Sequence, residues 1–215
     1  MKRLPSLASL LFVGALLAGC AGEPTRFYTL ALPVQVKAQP GGTGSAANVL
    51  PAPLFVEFAP LGVPDQLARP QFVVRHPGAD ASAKVEVLED YRWSSSFDLE
   101  LRDALANGVA RRLGAVNTTV SGRTQGQQAW RISLQVHGFD SIQDQQVDMS
   151  ITWSIQRTDG GPSSTCEWSA SEPVGKGMDA LAQGAQRLTA RAADAIAGHV
   201  AALQARKTPD CKAAA

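Results

Sequence analysis

The chain has 215 residues, 45% of them hydrophobic, with 20 Lys and Arg against 19 Asp and Glu. Charges so nearly balanced, with no long run of one sign, give no electrostatic basis for nucleic-acid binding, and the apolar fraction is that of an ordinary folded domain. Three cysteines and three histidines, with no histidine at ligand spacing from a cysteine, argue against a zinc site.

The N-terminus is read first. Lys2 and Arg3 give a positive start, Leu7 to Leu17 is almost purely apolar, and Leu17-Ala18-Gly19 leads directly into Cys20. A basic segment, a short apolar segment and small residues make a secretory leader. The apolar run is too short to span a bilayer core, which needs about 20 helical residues. Leu-Ala-Gly-Cys resembles the bacterial lipobox. That resemblance implies cleavage between Gly19 and Cys20, a diacylglycerol thioether on Cys20, and an acyl (palmitate-type) chain on its new amino group. Ala21 follows where an aspartate would resemble the inner-membrane retention signal of enteric bacteria, which points to the outer membrane. Residues 1–19 are thus the expected signal peptide, 20–25 a lipidated tether, and 26–215 a single domain. Removing Lys2 and Arg3 takes the basic count from 20 to 18 against 19 acidic residues, a mature net charge near −1.

The mature chain opens with a strand, Arg26 to Leu32, ended by Pro33. Residues 35–52 hold Gly41, Gly42, Gly44 and two prolines and read as a loop; the glycines lack the lysine and following helix of a phosphate loop. Leu54 to Phe58 is a strand. A turn-rich stretch, Pro60 to Pro70, precedes the strand Gln71 to Arg75. Val85 to Leu88 is a further strand, running on towards Tyr91 and Trp93. Ser95 with Asp98 resembles a capping box, and the apolar positions Phe97, Leu101, Leu105, Val109 and Leu113 continue it as a helix closed by Gly114, with Arg111 and Arg112 in the last turn. Val116 to Val120 is a short strand. Trp130 to Phe139 and Val147 to Ile155 alternate well, with Asp140 to Gln146 as the hairpin between them, and Ser164 to Ser171 follows a Gly-Gly-Pro turn. The last helix runs from Met178 to Ala205 on a stripe of Leu181, Ala185, Leu188, Ala192, Ile196, Val200 and Leu203, with Arg206 and Lys207 at its end. The predicted fold is α+β, a mostly antiparallel sheet with two helices packed on one face.

After the leader only Cys166 and Cys211 remain as a pair. In an oxidising compartment two thiols in one domain usually join, and a disulfide is the preferred reading, with two free thiols as the alternative. Closing that loop contributes roughly 3–4 kcal/mol in the chain-entropy account. No Gly-x-Ser-x-Gly occurs, and His76, His137 and His199 stand without a nucleophile signature, so no catalytic, cofactor or metal residue is assigned and an enzyme is not expected.

What recurs is of another kind. Phe27-Tyr28-Thr29-Leu30 follows the lipobox; then come Leu54-Phe55-Val56-Glu57, Val63-Pro64-Asp65-Gln66-Leu67-Ala68-Arg69-Pro70, and Trp93 ahead of Leu99-Glu100-Leu101. This order resembles the auxiliary lipoproteins of ABC-type transport systems, the PqiC family, over nearly the whole mature chain. The resemblance implies a non-catalytic, lipid-anchored outer-membrane protein on the periplasmic face. It would serve as adaptor between a periplasmic MCE-domain protein and the bilayer, in a system with an inner-membrane permease and ATPase that moves lipid between membranes or preserves envelope integrity. The long 35–52 loop, the cysteine pair and the alanine-rich tail depart from the pattern. Tyr28, Arg69, Arg75 and Trp93 are the candidate partner surface, weighed against a framework role for the two aromatics. A periplasmic lipid carrier is the alternative function, requiring an apolar cavity of several hundred cubic ångströms. Oligomeric state, a homo-oligomer included, stays open.

Overall fold

The computed structural model describes residues 24–33, 53–78, 84–161 and 163–211. The leader, Gly19, Cys20 and the 35–52 loop lie outside the described residues. Eight strands form one open sheet: β1 (Arg26–Tyr28), β2 (Phe55–Phe58), β3 (Gln71–Arg75), β4 (Glu86–Trp93), β5 (Val116–Asn117), β6 (Trp130–Ile142), β7 (Gln146–Arg157) and β8 (Ser164–Pro173). Helix α1 (Phe97–Leu113) separates β4 from β5, and α2 (Met178–Gln204) follows β8.

The long ladders are antiparallel: β6 pairs with β7 from Trp130↔Arg157 to Ile142↔Gln146, and β7 pairs with β8. The short pairings β1–β4, β2–β5, β2–β6 and β3–β6 are parallel, so the sheet is mixed. β2 and β3 lie end to end along one edge of β6, β2 beside Trp130–Ile132 and β3 beside Ser141–Ile142, both running in its direction. Between them Gly62 bridges Gln135, and residues 63–70 loop out as a 3-10 turn with Leu67 buried.

Both helices cover the same sheet face. Ile132, Leu134 and Val136 of β6, Met149, Ile151, Trp153 and Ile155 of β7, and Trp168 of β8 are buried on that face with the α2 stripe from Leu181 to Val200. At β6 a bulge interrupts the alternation: Val136 faces Ile151, but Gly138 faces Ser150. The extra residue, His137, is exposed, and the buried set resumes one position later at Phe139 and Ser141. Gly108 of α1 lets the helices meet; a Cβ there would lie 2.9 Å from that of Ala193. Arg112 of α1 reaches the Asp194 carboxylate and the Ala190 carbonyl of α2.

Several local expectations need correcting. The first helix is not opened by a capping box: its N-cap is Ser96, whose side chain makes no capping bond, and the Ser95 hydroxyl turns to the Ser96 carbonyl. The first helical N–H, on Phe97, goes instead to the Arg69 carbonyl at 3.2 Å. The β6–β7 strands run on through Asp140 and Gln146, leaving residues 143–145 as the turn. Those polar residues lie on the sheet face that no helix covers, so polarity there did not mean loop. Arg206 and Lys207 lie beyond α2: Arg206, at φ 56°, donates to the Leu203 carbonyl and Lys207 to that of Ala202, closing the helix end. Gly114 occupies the same left-handed position after α1, as its sequence position predicts.

Candidate functional site

Three of the four short motifs between Phe27 and Leu101 converge on one place, the N-terminal end of α1 beside β1, whereas Leu54–Glu57 lies with β2 towards the other end of the strand order. β1 is brought there by its parallel ladder to β4, which sets Tyr28 opposite Trp93, and by the Ser94 amide, which donates to the Tyr28 carbonyl at 2.8 Å. The chain then turns inward, burying Leu30. Glu100, in the first turns of α1, holds that turn. Its carboxylate accepts the Leu30 N–H at 3.1 Å, the Thr29 hydroxyl at 2.9 Å and the Ser94 hydroxyl. From the other helix, the Gln186 amide donates to the Thr29 carbonyl at 2.8 Å.

Tyr28 ties the same strand to the start of α2. Its hydroxyl donates to Asp179 at 2.7 Å, its ring meets Phe72 edge-on at 5.3 Å, and it stacks over Tyr91 at 6.4 Å. Burial, with the adjoining Asp179 carboxylate, pushes the Tyr28 pKa up to about 12, so the phenol stays a neutral donor. Trp93 stacks on Phe72 at 4.0 Å and leans on Phe97, which packs on Phe139. The 63–70 loop closes the arrangement: the Pro70 carbonyl takes the Trp93 N–H at 2.7 Å, and the Arg69 carbonyl takes that of Phe97.

The four candidate surface residues therefore separate. Trp93 is only 3% exposed and cannot present a contact surface; it is framework, because its indole fills the space between Phe72 and Phe97. Tyr28 is half-buried with its hydroxyl engaged. Arg69 is also half-buried, and its Nε is enclosed without a hydrogen-bond partner. Arg75 stands apart at the end of β3, where its Nε donates to Asp140 of β6 at 2.7 Å. Sequence reasoning missed Glu100, Asp179 and Gln186 as the residues that bind the motif segments together. Glu100 lay within a quoted motif, but its long-range partners carry no local signature.

At the far end of the sheet, Cys166 and Cys211 are joined by a disulfide with their Cα atoms 5.3 Å apart. Beside it, His199 of α2 is buried between β7 and β8, accepting the Trp153 indole N–H at 2.9 Å and meeting the Ser164 hydroxyl at 2.9 Å. Among the described residues no group of three or more His, Cys, Asp or Glu is placed to hold a metal ion, and no helix is long and apolar enough to cross a membrane. A cleft of about 360 Å³ between Leu54, Phe55, Gln127, Trp130 and Arg157 is open to solvent.

Solved structures share this fold. An uncharacterized protein known from its crystal structure is similar with a TM-score of 0.62 at 18% identity, over 83% of this chain and 99% of that one. A Xanthomonas campestris protein is similar with a TM-score of 0.54 at 11% identity, over 72% and 88% respectively. No curated protein shows significant similarity to the sequence. Residues 28–197, which begin at the clamped tyrosine and run into α2, match the family described as the ABC-type transport auxiliary lipoprotein component, and the chain belongs to that family.

Proposed function

We propose that the chain is an outer-membrane lipoprotein, acylated at Cys20 after cleavage behind Gly19, that acts as a non-catalytic adaptor of an ABC-type intermembrane lipid transport system. Its partner is a periplasmic MCE-domain protein, and its contribution is to hold that assembly to the outer membrane. The observation that carries this reading is the clamp. β1, the strand nearest the acylation point, is fixed to both helices and to β4 through Glu100, Gln186, Asp179 and the Ser94 amide. An adaptor must transmit position from anchor to body, and a strand tied on three sides does so. Ala21 in place of an aspartate supports the outer membrane as the destination. A carrier would need an enclosed apolar chamber; the described cleft is open and bordered by Gln127, Gln128 and Arg157, which favours the adaptor.

Two measurements test the proposal. Cys20→Ser should leave the outer-membrane fraction, and crosslinking of the wild-type lipoprotein in growing cells should capture an MCE-domain protein. Retention of Cys20→Ser in that fraction would refute the anchor. Crosslinks that never include an MCE-domain protein, or stoichiometric phospholipid in native mass spectra, would refute the adaptor role.

A further inference from the structure

An acyl anchor at Cys20, the reading on which this inference rests, does not say which surface of the body meets the bilayer. The geometry points to the β1 edge: Phe27 enters the interfacial region of the membrane that holds Cys20 and fixes how the body stands on it. Phe27 is 66% exposed, on a strand whose outer edge is unpaired among the described residues. Strand alternation leaves it no other course. Arg26 and Tyr28 share the helix-covered side, where Arg26 lies over the Tyr91 ring and Tyr28 is held by Asp179. Phe27 therefore projects to the opposite side, in register with Arg92 of β4, and cannot turn inward without releasing Tyr28.

Chain length supplies the occupant. Seven residues lead from Cys20 to Phe27, a contour of at most about 25 Å. Val120 is more exposed, at 78%, but it follows β5, the other end of the strand order from β1. Among the described residues Phe27 is thus the most exposed large apolar side chain at the tether's end of the strand order, ahead of Leu99 at 40%. Its surroundings fit an interface: aromatic rings and guanidinium groups are the side chains that settle at headgroup level, and Arg92 stands beside Phe27 in register, bonded also to Glu89. The acyl chains supply affinity; an aromatic beside them supplies orientation. A protein partner or a second copy of the chain could also cover a phenylalanine, and the test separates these.

All four tryptophans, Trp93, Trp130, Trp153 and Trp168, are buried, so a tryptophan placed on the surface reports alone on quencher access. The lipidated full-length variants Phe27→Trp and Val120→Trp, in phosphatidylethanolamine–phosphatidylglycerol vesicles, are compared with the same substitutions on the unacylated Cys20→Ser protein. Expected for Phe27→Trp is quenching by phospholipids brominated near the headgroup, with a several-fold lower response to iodide than in the unacylated form. Val120→Trp should stay iodide-accessible in both. Membrane-bound Phe27→Trp protein whose introduced indole is as open to iodide as in the unacylated form overturns the inference while leaving the anchor intact. Shielding from iodide without bromine quenching means a protein contact and also overturns it, as does equal bromine quenching at both positions. Lipidated protein that does not partition with vesicles overturns the anchor reading and this inference together.

Discussion

Glu100 has three partners to lose. One carboxylate serves a backbone amide and two hydroxyls, all from segments distant in sequence or across a turn. Bonds to a charged acceptor contribute about 1.5–3 kcal/mol where burial is substantial; this site is partly exposed, so Glu100→Ala should lower stability by about 1–3 kcal/mol, read as a lower urea midpoint, with earlier proteolysis near Thr29. Glu100→Gln should cost less, since an amide oxygen still accepts. His199 makes the second residue-scale prediction. Its Nδ1 accepts the Trp153 indole proton, so the ring is neutral with its own proton on Nε2, towards Ser164. Burial holds its pKa below the ordinary 6.5. The unfolded chain therefore takes up a proton more readily than the folded one. Stability is complete above about pH 6.5 and falls as the pH drops through that value towards the depressed folded pKa. Urea midpoints at about pH 7.5 and about pH 5.5 should show this loss, and His199→Gln should lessen the difference between them.

At the scale of elements, α2 lies tight against the segment that leads into it. A Cβ on Gly184 would lie 2.2 Å from Cγ1 of Val174, just past β8. Gly184→Ala should destabilise by about 1–3 kcal/mol through overpacking, and Val174→Ala in the same chain should restore part of that, measured by thermal melting. Neither residue signals this contact in the sequence, where Gly184 reads as one more small residue in an alanine-rich helix. The α2 stripe itself was legible, because Leu181, Leu188, Ile196 and Val200 mark a face at helical spacing and all are buried. So was the end of α1, since Gly114 is the residue type that a left-handed cap requires. The bulge at His137 was not: Trp130 to Phe139 alternates on paper, and only pairing with β7 shows that Phe139 returns to the core one position late. The parallel pairings were hidden for the same reason, as register between β2, β3 and β6 depends on long-range packing. Ser95 and Asp98 matched the letters of a capping box, yet the helix start was served by the Arg69 carbonyl, far upstream in the chain.

For the whole molecule, the disulfide joins two ends of the fold. Cys166 lies on β8 and Cys211 follows α2, so the bond encloses most of β8 and the entire helix. Cys211→Ser should cost up to roughly 3–4 kcal/mol, seen as a lower melting temperature; a reductant should shift the wild type towards the variant and leave the variant unmoved. This pair was readable from compartment and count alone, whereas the clamp at α1 was readable only as a set of motifs whose partners were unknown. The parallel union of β1 with β4 has a mechanical consequence. A hairpin strand pulled from its free end opens one hydrogen bond at a time. Tension entering β1 at its first residue and directed along the strand loads the bonds to Tyr91–Trp93 in shear, and the attachments of Tyr28, Thr29 and Leu30 to both helices follow them along the chain. The ladder bonds share that force, so a body hung from such a strand holds against a higher load than one whose strand unzips bond by bond.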